Sequence, residues 1–444
     1  MGNNHKITIW LSERGKWVSV LYTAIAAFLT YACMYGIRKP FTAAEFDGLI
    51  YWGMDYKALL IISQLVGYAS SKFIGIRIIS EMKRYNRALA IIVLTVIAEV
   101  SLLFFSIVPP PFNIVFLFLN GLPLGLIWGL VFAYLEGRRN TELLGTVLSI
   151  SFIVSSGFVK SISRIMMTNF NLNDFQMPWV TGLVFLIPLI IITWLLDKSP
   201  DPTEEDEMER TKRLPMNRKQ RKKVFKEFSS GLVMLIIAYM ILTIYRDLRD
   251  NFAVDIWKSI GYSGNSMILT WSELPVALLV FAVMVSVMFI KDNQRAYMTN
   301  IYIILSGFVI IGLATAALNA QIVSPMAWMI LLGLGTYMGY LPFNCLLFDR
   351  LIAAFGSAAN AGFFIYIADS FGYLGSMSTL IFKDFNYNKL SWFSFLKTSS
   401  YGMAVTGVIL IFFTILYFKS KFRDKSVDMN EITGAKINPI IIKY

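Results

Sequence analysis

Seven basic and five acidic residues lie inside or beside apolar stretches of this chain, and their types and spacing point to anion chemistry. The cations are Arg38, Lys39, Lys72, Lys160, Arg164, Arg246 and Arg249; the anions are Glu99, Asp247, Asp250, Glu273 and Asp369. An arginine near a bilayer centre costs about 2.5–3.5 kcal/mol even on the lenient insertion scale, so each such residue needs a polar interior. Cations outnumber anions, so pairing among them leaves a positive remainder that an anionic guest would balance. Arginine suits phosphate because its planar fork donates two parallel charge-assisted hydrogen bonds, and lysine adds a compact charge. Tyr35 stands three residues before Arg38 and Tyr68 four before Lys72, so each hydroxyl shares a helical face with a cation.

Plainer roles compete for several of these residues. Arg246 and Asp250, four apart, can pair along one helix. Arg164, near the outer end of its span, can reach the headgroups, and so can Lys39. Glu99 and Asp369 read either as proton carriers or as partners of cations in another span.

The charges recur in two copies. Tyr35 to Phe41, through Arg38, is answered some 211 positions later by Tyr245 to Phe252, through Arg249. Gly121 to Arg138, through Trp128, matches Gly333 to Arg350, through Tyr340, and Gly145 matches Gly356, at nearly the same offset. Duplicated halves related by an axis along the membrane normal place a solute site between them near the midplane. Gly121, Gly125 and Gly129, and likewise Gly335 and Gly339, follow the spacing that lets helices approach closely.

The elements that must position these side chains are membrane helices. Among 444 residues 56% are hydrophobic and 15% charged, against about 25% charged in soluble domains. Twelve apolar runs, the first near 18–37 and the last near 398–418, are long enough to cross a bilayer. No ten-residue alternation of the outer-membrane barrel type is present. The expected organisation is a six-helix bundle over 1–196, a charged linker over 197–228, a second six-helix bundle over 229–420 and a tail over 421–444. The linker is acidic at 203–209 and basic at 217–223, and reads as a solvated segment with a membrane-surface helix.

The formal charge of +12 does not indicate nucleic-acid binding. With the N-terminus in the cytoplasm, 28 of the 40 Lys and Arg fall on cytoplasmic segments. That bias is the positive-inside signal, and it places both termini in the cytoplasm of a multi-pass protein of the cell (inner) membrane. Cys33 and Cys345 lie in apolar runs, and the one histidine, His5, lies in the N-terminal arm. No metal cluster, P-loop or nucleophile–histidine arrangement is present, so neither a cofactor nor an enzyme is expected. A monomer in the lipid bilayer is expected.

These residues resemble the major facilitator superfamily, and within it the organophosphate:phosphate antiporters that carry glycerol 3-phosphate and hexose phosphates. Tyr35-x-x-Arg38-Lys39-x-Phe41 resembles their first-span motif, and Tyr68-Ala-Ser-Ser71-Lys72-Phe73-x-Gly75 is similar to their second. Ser80-Glu81 with Arg84 and Arg87 is a loose version of the superfamily's loop after span two. Arg249 resembles their seventh-span arginine, Glu273 their eighth-span glutamate, and Phe371-Gly-Tyr373-Leu-Gly375 their eleventh-span motif. The resemblance implies an all-α fold of twelve transmembrane helices in two pseudo-repeat bundles, with Arg38 and Arg249 clamping phosphate from opposite halves. Lys72, Tyr35, Tyr68 and Tyr373 would surround it, and Lys39 would tune the field or balance a carboxylate. Glu273 would face the organic portion or the coupling machinery.

Arg246 competes with Arg249, whose spacing to Phe252 repeats that of Arg38 to Phe41 and so makes it the first choice. The histidine that glycerol-3-phosphate carriers place in the fifth span is absent from 150–157, and Lys160 lies one turn further on as a substitute cation. The expected function is secondary transport of a small anion, an organophosphate exchanged for phosphate by alternating access. One alternative is proton symport of a carboxylate or sugar acid, with Glu99, Glu273 or Asp369 carrying the proton. Another is a transporter-like sensor of sugar phosphate.

Overall fold

A computed structural model describes residues 4–81, 86–136, 138, 140–202, 206, 225–226, 228–355, 361–387 and 390–433. Most of the acidic and basic linker, Arg84, Gly356 and the end of the tail lie outside the described residues. Among the described residues twelve long helices follow one another. The first six are α1 Lys16–Arg38, α2 Tyr56–Glu81, α3 Arg87–Ile107, α4 Ile114–Phe132, α5 Thr141–Phe170 and α6 Met177–Asp197. The second six are α7 Ser229–Asn251, α8 Ile268–Met288, α9 Asn293–Asn319, α10 Pro325–Cys345, α11 Ala361–Asn386 and α12 Trp392–Thr433.

Ten of these are long and apolar enough to cross a membrane by composition alone. The other two, α2 and α11, have 26 residues each. At about 1.5 Å per residue they exceed the ~30 Å hydrocarbon thickness. They carry Lys72 and Asp369, and each packs on the opposite half of the chain, where a polar residue has partners. The all-α, twelve-helix expectation is therefore met. Helix α12 continues past 420, so the first part of the expected tail prolongs it. A two-residue antiparallel ladder, Ile50–Tyr51 with Met54–Asp55, closes the loop between α1 and α2 and was not anticipated.

Local chemistry sets several helix ends. Ser324 and Asp292 cap α10 and α9, their side chains accepting from the Ala327 and Arg295 amides at 3.2 and 2.7 Å. Pro325 follows Ser324 at the first helical position, where no N–H is needed. Asn171 takes the left-handed conformation that ends α5.

Close approach of backbones holds the halves together internally. A side chain at Gly121 would run into the Gln64 carbonyl of α2, and one at Gly335 into Gly307 of α9. A glycine in each half thus permits close helix packing, against different neighbours. Between halves, α5 packs on α8 and α10, and α2 packs on α11.

Candidate functional site

The end of α1 presents Arg38 to the interior. Pro40 supplies no N–H to continue the helix, leaving carbonyls at its end without helical partners. Buried polar side chains take their place: Gln64 Nε2 donates to the Arg38 carbonyl at 2.8 Å, and Asn120 Nδ2 to the Ile37 carbonyl at 3.2 Å. Gln64 also donates to Asn120 Oδ1 at 2.7 Å, so α1, α2 and α4 share one buried network. The Arg38 guanidinium lies 3.9 Å from the Tyr68 ring centroid and 5.8 Å from that of Tyr35. Its Nε is buried with no acceptor, and it has no carboxylate partner among the described residues.

The last turns of α7 face α1 and α5 with carboxylates. Asp250 accepts from Lys39 Nζ, Lys160 Nζ and Ser156 Oγ, each at 2.6 Å, and all three donors come from the other half of the chain. Arg246 pairs with neighbouring Asp247 at 2.7 Å and lies 4.3 Å from the Tyr340 ring centroid, while Asp247 accepts from Ser376 at 2.7 Å. Asp369 of α11 pairs with Lys72 of α2 and accepts from the Tyr239 hydroxyl at 2.5 Å. Tyr68 and Tyr373 meet edge to face across the same boundary, with centroids 5.5 Å apart.

These groups line one cavity of about 40 Å³, room for a few waters at ~10–15 Å³ each. Arg38, Lys39, Lys72, Tyr35, Tyr68, Arg246, Asp369 and Tyr373 all border it, as do Tyr31, Trp128, Tyr337, Tyr340, Asp247 and Asp250. Ion pairs join the halves at both ends. On the face away from the termini Glu45 of the α1–α2 loop meets Arg164 at 3.1 Å and also Lys258, and Lys57 meets Asp255 at 2.7 Å. Burial would raise the Glu45 carboxyl, but Lys258 and Arg164 outweigh it and hold it below the usual carboxylate range. On the other face Arg350 meets Glu142 at 2.8 Å.

Four expectations are corrected. Arg249 does not face Arg38: its guanidinium binds Glu273 at 2.9 Å and the Met329 carbonyl at 3.1 and 3.3 Å, within its own half. Gly333 leaves the space that guanidinium occupies. Glu273 is consequently bound to Arg249 and absent from the cavity lining. Arg246 pairs with Asp247 rather than with Asp250, and the nearby lysines claim Asp250. Arg164 does not extend to the headgroups, because Glu45 holds it.

Lys160 approaches the site indirectly, through Asp250. Glu99 stands apart: it is 5% exposed, both its oxygens lack a hydrogen-bond partner, and it packs on Gly182 of α6. Sequence reasoning counted Asp247 and Asp250 among the charges without placing them in the site. For Asp250 the available signal was its place one turn after Arg246 on the same helical face, and for Asp247 only its adjacency to Arg246. Tyr337, Tyr340 and Asn344 follow the same i, i+3, i+7 rule on α10, but nothing local distinguishes them from other buried aromatics.

The chain superposes on a major facilitator superfamily proton:xylose symporter, XylE bound to 6-bromo-6-deoxy-D-glucose, with a TM-score of 0.60 and 14% identity. That match covers 90% of this chain and 96% of the other. A D-xylose–proton symporter matches with a TM-score of 0.59 at 14% identity, covering 89% and 96%. A partially occluded inward-open form of XylE from E. coli matches with a TM-score of 0.57 at 12% identity, covering 89% and 98%. No curated protein matches the sequence. The model of a family described as "Family of unknown function (DUF5690)" matches residues 40–421. With its two six-helix halves closed around a basic, tyrosine-lined cavity, the chain has the major facilitator fold and belongs to the DUF5690 family.

Proposed function

We propose that this protein is an alternating-access transporter of a small anionic solute, with a phosphate ester or inorganic phosphate as the first candidate. One observation carries the reading: Arg38 is buried at 7% exposure beside a cavity between the halves, with no carboxylate partner among the described residues. A bidentate oxyanion matches its fork. Arg246, across the same cavity, replaces Arg249 as the second arginine of the clamp. Lys72 and Tyr35, Tyr68 and Tyr373 supply further donors, and opening of the ion pairs at either face exposes the site in turn. The structural neighbours carry xylose, but a neutral sugar leaves Arg38 without a counter-charge.

Alternating access in the cell membrane, with both termini cytoplasmic, is the setting the charge bias supports. Proteoliposomes test it. Uptake of labelled phosphate or glycerol 3-phosphate that persists undiminished in Arg38→Ala and Arg246→Ala defeats the proposal. A panel of phosphate esters and carboxylates then identifies the solute, since a ligand at 100 times its Kd raises stability by about 2.7 kcal/mol. A second reading, proton symport of a carboxylate, draws support from Asp250 and Asp369 at the cavity wall. Uptake that follows an imposed pH gradient distinguishes it.

A further inference from the structure

We infer that Asp250 and Asp369 are tethered counter-anions that let the empty protein change face, so that it performs net transport and not obligatory exchange. The inference rests on the anion-carrying reading above and concerns its mode. Obligatory exchange requires an empty site that cannot close, which an unbalanced cluster of like charges in low dielectric would ensure. Here the first half brings Arg38, Lys39, Lys72 and Lys160 toward the interface, and the second half answers three of the four. Asp250 reaches across from α7 to accept from Lys39, Lys160 and Ser156, each at 2.6 Å. Asp369 reaches across from α11 to Lys72.

None of these bonds lies within one half, so they form only when the halves come together, and they need no solute. Asp369 is further held by Tyr239 at 2.5 Å, so its carboxylate is aimed at Lys72 from a fixed position. Arg246 carries its own carboxylate in Asp247 at 2.7 Å. Asp250 is shared by two lysines, so the cluster keeps a small positive excess, and among the described residues Arg38 is the member of it that touches no carboxylate; the faces of Tyr68 and Tyr35 cover it. A bound anion therefore completes the site at Arg38, while closure of the site is secured by the protein's own carboxylates.

The test uses the full chain in proteoliposomes loaded with radiolabelled inorganic phosphate, the membrane potential clamped with potassium and valinomycin. Release is compared in medium with and without unlabelled phosphate. Release into phosphate-free medium within about threefold of the exchange rate is expected, since the two closed forms then differ little in barrier. Release that is slower by about tenfold or more without external phosphate overturns the inference while leaving anion transport intact. No release in either medium removes the anion-carrying reading, and this inference with it. In Asp250→Asn or Asp369→Asn the ratio of net release to exchange should fall by about tenfold, whatever the absolute rates. An unchanged ratio in both variants overturns the assignment of these two residues.

Discussion

Replacing Arg38 with methionine should stabilise the empty protein and abolish its response to anions. Methionine is unbranched and flexible enough to fill the arginine stem's place between Tyr35 and Tyr68. Burying an ion costs several kcal/mol even after relaxation, and Arg38 is only 7% exposed with no carboxylate partner among the described residues. Its Nε, buried without an acceptor, accounts for about 1–3 kcal/mol of that cost. The Tyr68 ring at 3.9 Å returns about 2 kcal/mol as a desolvated cation–π contact. The balance favours the variant by on the order of 1–3 kcal/mol. Thermal unfolding of purified protein in detergent, with and without inorganic phosphate, measures both effects. An Arg38→Met protein less stable than wild type by about 1 kcal/mol and still stabilised by phosphate would refute the view of Arg38 as an uncompensated charge awaiting an anion.

Asp250→Asn should act in the opposite sense, losing about 3–5 kcal/mol because Lys39 and Lys160, 6% and 1% exposed, would keep neutral acceptors but lose their carboxylate. Adding Lys160→Met should recover part of that loss in the same unfolding assay. Gly121→Val should cost about 1–3 kcal/mol by forcing α4 off the Gln64 backbone of α2. Glu45, whose carboxyl Lys258 and Arg164 depress despite burial, should stabilise the closed outer face fully above its unfolded pKa of about 4.3. That contribution disappears as pH falls through the lower folded value. The stability difference between wild type and Glu45→Gln, followed from pH 6 to about 3, should shrink to near zero at the acid end.

What could be read along the chain was whatever depends on near neighbours. Apolar runs of sufficient length make helices wherever water is excluded, since each span satisfies its own backbone. Tyr35 with Arg38 and Tyr68 with Lys72 share faces by helical geometry alone, and both pairs border the cavity. The 211-residue offset in the sequence likewise announced two related halves.

Which charge meets which, by contrast, is a property of distant segments. Arg246 and Arg249 are three residues apart on one helix and the spacing to Phe252 favours Arg249, yet Glu273 and Met329 claim Arg249 while Arg246 borders the cavity. Arg164 finds Glu45, Lys72 finds Asp369, and Asp250 finds two lysines of the other half. Helical periodicity fixes the direction of a side chain relative to its own axis but not the rotation and depth of that axis among eleven others. Only the packed bundle sets those, and with them the arginine at the cavity, Arg38, that meets no carboxylate among the described residues.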